Sequence, residues 1–279
     1  MMNSAIVDQI SRMLGVRSVS LHSMSGGTWS SIFRVESPSH PPLVAKIGPF
    51  ENMDEERQGL RALRDTNTVL IPEVFGFDSE GDQAILVLEY LELGTDPDWR
   101  RFATDLAALH RPGAESRYGF MIDNHLGSTV QRNSWTGDWA EFNRSFRHGP
   151  LLRSSNLDSD DRDLVQRAID SFTTLLGNPR PALIHGDLWS GNALVLADGS
   201  VALIDPAPSY GDPLADLAMM ELFGGFPDIF FDAYYAESLV ESDERKLAVY
   251  RLYHALNHLH LFGPGYLDMV RREARLILD

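Results

Sequence analysis

His185-Gly186-Asp187-Leu188-Trp189-Ser190-Gly191-Asn192, with Ala202-Leu203-Ile204-Asp205 a short way downstream, is the stretch that decides the fold. Between the two lie an apolar run (Ala193 to Ala197), the pair Asp198-Gly199, and a second apolar run (Val201 to Ile204). Asp-Gly between apolar runs predicts a hairpin with a two-residue loop. In that register Asn192 and Asp205 stand opposite each other at the open end. An amide oxygen beside a carboxylate suits Mg2+, a hard cation that prefers oxygen ligands. Asp187 precedes this pair and would accept or orient the proton of an attacking hydroxyl. His185 reads as a backbone brace rather than a proton carrier. The plain alternative is an Asp-rich hairpin with solvated ends.

Working upstream, residues 1–91 read as strands around one helix. Thr28 to Ser37 and Leu43 to Ile47 are strand-like, joined by a Pro-rich turn from Ser37 to Pro42. A helix follows over Met53 to Arg64. Two more strands, Glu73 to Phe77 and Ala84 to Leu91, flank a turn at Asp78 to Asp82. Before them, Ile6, Ile10, Met13 and Leu14 share one helical face, with Ser4 as the expected N-cap. Residues 92–279 read as mainly helical: Asp98 to His110, Trp139 to Phe146, Ser159 to Leu176, Pro213 to Phe223 and Asp243 to Phe262, interrupted only by Leu183 to Asp205. The expectation is an α+β, bilobal chain: a β-rich N-lobe over 1–91 and a helical C-lobe over 92–279.

The N-lobe offers partners for phosphate. Gly26 and Gly27 precede a strand, where glycine lets the backbone approach a phosphate closely. Lys46 lies on the next strand. The helix after it carries Met53, Leu60 and Leu63 on one face, and Glu56 falls on that face. An inward carboxylate is costly unless paired, so Glu56 is the expected partner of Lys46. Glu55 is the competing choice, facing Gly59 and Ala62. The apolar strand ending in Glu89-Tyr90-Leu91 fits an inter-lobe hinge whose backbone meets adenine. No G-x-x-x-x-G-K-[ST] occurs, which disfavours a P-loop NTPase. Asp187 and Asn192 have the spacing H-x-D-x-x-x-x-N of a kinase catalytic loop.

Composition closes off other classes. Forty acidic against 24 basic residues give a formal charge of -16, which argues against nucleic acid and anionic membranes as partners. Cysteine is absent, so no disulfide or thiolate metal site can form. This suits a reducing, cytoplasmic setting. The two histidines of His254-Ala255-Leu256-Asn257-His258 have the i, i+4 spacing of a zinc pair. Ala255, however, stands where H-E-x-x-H has its base.

Together these segments resemble the protein-kinase-like superfamily that includes aminoglycoside phosphotransferases and choline kinases. More specific features resemble the fructosamine (ketosamine) kinases: the 185–192 stretch, Asp205-Pro206-Ala207, Tyr210-Gly211-Asp212, Phe223-Gly224-Gly225-Phe226, Gly127-Ser128-Thr129 with Gln131 and Asn133, and Leu256-Asn257-His258. The resemblance spans nearly the whole chain. It implies an enzyme that uses ATP and Mg2+ to phosphorylate the sugar moiety of ketoamines, usually on the 3-hydroxyl, and that acts in deglycation. The partner would be a small ketoamine or a glycated amine or protein. Asp187 would be the catalytic base and Asn192 and Asp205 the metal ligands. Gly26, Gly27, Lys46, Glu56 and Glu89 to Leu91 would meet the nucleotide, and Trp189 and His258 the acceptor. Asp216 matches a position that braces the catalytic loop. Pro206 and Ala207 replace the Phe-Gly of protein kinases, so a phosphorylation-controlled activation loop is not expected. The rival readings are an aminoglycoside, choline or homoserine phosphotransferase, and a non-catalytic pseudokinase.

Overall fold

The computed structural model describes residues 4–26 and 30–279. The chain forms two compact units, Met1–Pro97 with Leu194–Asp205, and Asp98–Ala193 with Pro206–Asp279.

The first unit starts with helix α1 (Ser4–Leu14), then strands β1 (Ser20–Met24), β2 (Ser31–Ser37) and β3 (His40–Pro49). Helix α2 (Phe50–Arg64) and strands β4 (Val74–Glu80) and β5 (Gln83–Glu89) follow. The five strands form one sheet in the order β1-β2-β3-β5-β4, every neighbouring pair antiparallel. Side chains alternate across such a sheet. Val35, Leu43, Ala45, Ile85 and Val87 form a core with Ile10, and Ile6, Val7, Met13 and Leu14 pack against it. Lys46 pairs with Leu86, one step out of phase with that core. The alternation therefore turns it to the opposite face, and α2 buries Met53, Leu60 and Leu63. Both faces of β5 are covered, which is why Ala84 to Leu88 read as an unbroken apolar run.

Several boundaries differ from the sequence reading. The turn between β2 and β3 is only Pro38-Ser39, so Pro41 and Pro42 lie inside β3. There the β2–β3 register breaks between the Ser37–His40 and Val35–Leu43 pairs, and the ladder to β5 begins only at Leu43. A missing N–H at a one-sided strand end costs little. The β4–β5 turn likewise shrinks to Gly81-Asp82. Ser4, expected to cap α1, is the first of its described residues. Gly27 and Thr28 lie outside the described residues.

In the second unit come α3 (Trp99–Leu109), β6 (Asn124–Leu126), β7 (Thr129–Gln131) and α4 (Trp139–Phe142). A π-helix (Asn143–His148) runs from α4 into α5 (Gly149–Ser154), followed by α6 (Ser159–Asp170), α7 (Phe172–Leu175) and β8 (Ala182–Ile184). The helix expected over Ser159 to Leu176 is therefore broken at Ser171, whose hydroxyl donates to the Ala168 carbonyl. Hydroxyl back-bonding of this kind bends helices. Beyond β8 lie a 3-10 turn (Ser190–Asn192) and the hairpin β9 (Ala193–Val195) and β10 (Val201–Leu203). The unit ends with β11 (Ser209–Gly211), α8 (Leu214–Phe223), α9 (Asp228–Glu237), α10 (Glu244–Phe262) and α11 (Leu267–Leu278). Asp98, Asp138, Asp158 and Asp243 cap α3, α4, α6 and α10, each accepting from a first-turn backbone N–H.

The hairpin corrects two expectations. Leu196 N–H donates to the Ser200 carbonyl at 2.8 Å, and Gly199 N–H to the Leu196 carbonyl at 3.0 Å. The loop is thus three residues, 197–199, with Gly199 at φ 82°. This is a turn closed by a left-handed glycine bulge rather than a two-residue loop. The ladder shifts by one residue, so the cross-strand pairing of Asn192 with Asp205 read from the two-residue loop does not hold. The boundary after Leu91 also moves. Glu92 and Gly94 bond to Ala197 and Val195, and Leu203 N–H donates to the Leu70 carbonyl. These bonds tie residues 92–97 and 194–205 into the first unit.

Candidate active site

In the first unit, Lys46 is buried and its Nζ lies 2.6 Å from Glu56 Oε1, with Asp205 Oδ1 as a second partner. The helical phase that put Glu56 among Met53, Leu60 and Leu63 explains this contact, and Glu56 rather than Glu55 makes it. Burial works against the ammonium, but the two carboxylates outweigh it and raise the Lys46 pKa. Glu56 is pushed up to about 7, first by burial and further by Asp205, which shares the same ammonium. Asp205 follows β10 with φ 53°, a left-handed conformation uncommon outside glycine. Its side chain is 42% exposed.

The end of β5 is fixed by reciprocal bonds: Glu89 N–H donates to the Glu73 carbonyl at 2.8 Å, and Glu73 N–H to Glu89 Oε2 at 3.1 Å. Arg34 stacks 4.7 Å from the Tyr90 ring. Leu91 is half-buried beyond them. Gly26 has φ 119°, a conformation other residues avoid.

In the second unit, the loop after β8 is pinned from below. Asp216 on α8 accepts from His185 N–H at 2.7 Å and from Gly186 N–H at 2.8 Å. His110 Nε2 donates to it at 3.1 Å, and the Tyr234 hydroxyl donates to His110 Nδ1 at 2.7 Å. Burial alone would raise Asp216, but the His110 contact and Gly186 N–H outweigh it and hold the carboxyl below its ordinary range. Gly186, at φ 83°, admits no side chain, since a Cβ would sit 2.0 Å from the Ala207 carbonyl oxygen. His185 is fully buried and its Nδ1 accepts from Asp187 N–H at 3.3 Å.

Asn192 Nδ2 donates to the Asp187 carbonyl at 2.8 Å and to Asp187 Oδ2 at 3.1 Å. Both contacts use the amide nitrogen, which leaves the amide oxygen as the group able to meet a cation. Mg2+ is commonly held by one or two protein oxygens plus phosphate oxygens. The donors Asn192 Oδ1 and Asp205 fit that chemistry. No cluster of three or more His, Asp or Glu able to hold a metal occurs among the described residues. The zinc-like pair, His254 and His258, belongs to no such cluster. His258 Nδ1 donates to the His254 carbonyl, and its ring lies 4.6 Å from Phe223 and 5.0 Å from Tyr266. Trp189 is 42% exposed and folds over Gly191, where a Cβ would lie 2.2 Å from its ring.

The sequence reading did not find His110 and Tyr234. Neither carries a local signal, since they reach Asp216 across 106 and His110 across 124 residues.

A family model described as fructosamine kinase matches residues 2–279. The chain belongs to the fructosamine kinase family. A Synechocystis protein named as a ketoamine kinase is 40% identical over 78% of this chain and 75% of its own. The protein-ribulosamine 3-kinase of Oryza sativa subsp. indica, named as chloroplastic, is 35% identical over 84% of this chain and 69% of its own. A crystal structure named for a fructosamine-3-kinase of Thermobifida fusca superposes with a TM-score of 0.88 at 32% identity, covering 98% of both chains. An aminoglycoside phosphotransferase, APH(4)-Ia, superposes at a TM-score of 0.68 with 15% identity, over 98% of each chain. That likeness concerns the fold, which is protein-kinase-like. The protein is therefore a ketoamine kinase, an ATP-using enzyme. None of its described helices is long and apolar enough to cross a membrane.

Proposed function

We propose that this kinase transfers the γ-phosphoryl group of ATP to the 3-hydroxyl of a ketoamine, with Asp187 as the base. The observation that carries the reading is the Asn192 amide clamped on Asp187, which fixes the proton acceptor while freeing an oxygen for metal. The substrate's 3-hydroxyl gives its proton to Asp187 as its oxygen bonds to the γ-phosphorus, and the bond to the β-γ bridging oxygen breaks to release ADP. Lys46, held by Glu56, presents its ammonium to the phosphates. Gly26 would cover them, and the backbone of Glu89 to Leu91 would meet adenine. Since Glu89 N–H is already bonded to Glu73, the adenine contacts fall to the Glu89 carbonyl and to the backbone of Leu91. Asn192 and Asp205 would hold Mg2+, which when bound neutralises charge on the phosphates. Trp189 and His258 would meet the ketoamine. The amine is either small or part of a glycated protein, and release of the amine from the phosphorylated product is the deglycation step.

The test is transfer of label from γ-labelled ATP to the ketoamines of erythrulose, ribulose and fructose, with an aminoglycoside, choline and homoserine alongside. Phosphate on the ketoamine 3-oxygen is the expected result. Transfer only to one of the other three acceptors overturns the reading.

A further inference from the structure

Below the catalytic loop, the second unit contains a cavity of about 30 Å3 that the reaction scheme above does not use. Gly186, the residue before Asp187, forms part of its wall. Gln131, Asn143, Arg147 and His254 line it further. Two of these present buried atoms without a hydrogen-bond partner among the described residues: Gln131 Nε2 and His254 Nδ1. Their residues are only 2% and 4% exposed. A buried polar atom left unpaired costs about 1–3 kcal/mol, so two on residues that line one chamber point to a ligand that completes them.

The walls also say what kind of ligand. Arg147 is buried and bonds only neutral acceptors: the Arg132 and Phe146 carbonyls and Asn133 Oδ1. Asn143 and Arg147 both sit on the π-helix, a rare geometry that recurs at functional sites. An anion would answer Arg147, but acidic groups stand close by. Tyr253, another wall residue, feels the charges of both Arg147 and Asp187, and His254 feels that of Asp216. A neutral, oxygen-bearing group satisfies the donors without meeting that repulsion. A water-sized group needs about 10–15 Å3, so the chamber takes one hydroxymethyl group and not a sugar ring.

The geometry points to a subsite, formed by Gln131 Nε2 and His254 Nδ1, for the hydroxyls of the ketose beyond the phosphorylated carbon. This rests on the ketoamine reading and deepens it. Past C3, an erythrulosamine has one carbon, a ribulosamine two and a fructosamine three. The chamber's wall includes the residue next to Asp187, so a tail that extends past C3 runs toward it, and the longer tails reach further into it. The subsite therefore selects for ketose length.

The experiment compares kcat/KM of the wild type, Gln131→Met and His254→Phe for the erythrulose, ribulose and fructose adducts of butylamine. The wild type is expected to favour ribulosamine or fructosamine over erythrulosamine. Each variant should cost the longer substrates about tenfold or more beyond its cost to erythrulosamine, the loss expected for one buried hydrogen bond. Thermal-shift protection by each ketoamine is measured in parallel. Should a variant lose its wild-type melting midpoint, Gln131→Ser and His254→Gln are read the same way. Equal losses on all three substrates, or none, overturn the subsite while leaving the ketoamine reading intact. A wild type that phosphorylates none of the three overturns both.

Discussion

Lys46 and Asp216 are both buried charged side chains, and the two units hold them differently. Lys46 is shared by two carboxylates, and the one on α2 is driven to about 7 by burial and by that competition. Asp216 is surrounded by N–H donors, two from the backbone and one from His110, and its carboxyl is driven below its ordinary range. The first arrangement sets two carboxylates against one ammonium, as the proposed phosphate and metal site requires. The second is complete without a ligand, as a brace requires. A perturbed ionisable group therefore marks the proposed site in one unit and a brace in the other, and the partners of the group tell which.

The largest effect should come from the residue that the brace supports. Asp187→Asn should lower kcat by about 10³–10⁴-fold while leaving nucleotide affinity near wild type. A loss confined to KM for ATP would place Asp187 outside the chemistry. Asp216→Ala leaves three buried donors without an acceptor and should cost about 3 kcal/mol of stability, read as a fall in the urea midpoint. Lys46→Met should invert the pattern. We expect kcat/KM for ATP to drop about 100-fold, with only about 1 kcal/mol lost in stability, because Glu56 can neutralise itself by taking up a proton. If Lys46→Met unfolded the protein as severely as Asp216→Ala, the contrast between site and brace would fail.

The smallest effect concerns pH. Burial holds His254 at about 3, against an ordinary value of 6.5; His258, His148 and Arg147 add to this and Asp216 opposes it. The unfolded chain therefore binds a proton below pH 6.5 that the folded chain refuses. The stability due to His254 is present above pH 6.5 and lost as pH falls toward 3. Between pH 6.5 and 5 this amounts to at most about 2 kcal/mol. Urea midpoints at pH 7 and 5 should fall less steeply in His254→Gln than in wild type. Parallel slopes would assign the acid sensitivity to other groups.

Much of this was legible in the chain. The Asp187-to-Asn192 spacing is local, and a 3-10 turn over Ser190–Asn192 ends it. Glu56 was readable because 3.6-residue periodicity fixed its face relative to Met53 and Leu60. The hairpin loop was misread by one residue because Asp-Gly is compatible with both a two-residue turn and a three-residue turn ending in a left-handed glycine. Pairing with Leu70 and Glu92, far away in sequence, accompanies the longer form.

Sequence by itself determined the chemistry on offer: which acid, amide, lysine and glycines are present, at what spacing, and on which helical or strand face. Only the tertiary structure decided which unit holds residues 194–205, that Asp205 turns left-handed onto Lys46, that His110 and Tyr234 steady Asp216, and that Gln131 and His254 share a chamber. Spacing and periodicity constrain residues a few positions apart. Contacts across a hundred residues are set by packing, where the burial of one polar group dictates its partner and no local pattern records it.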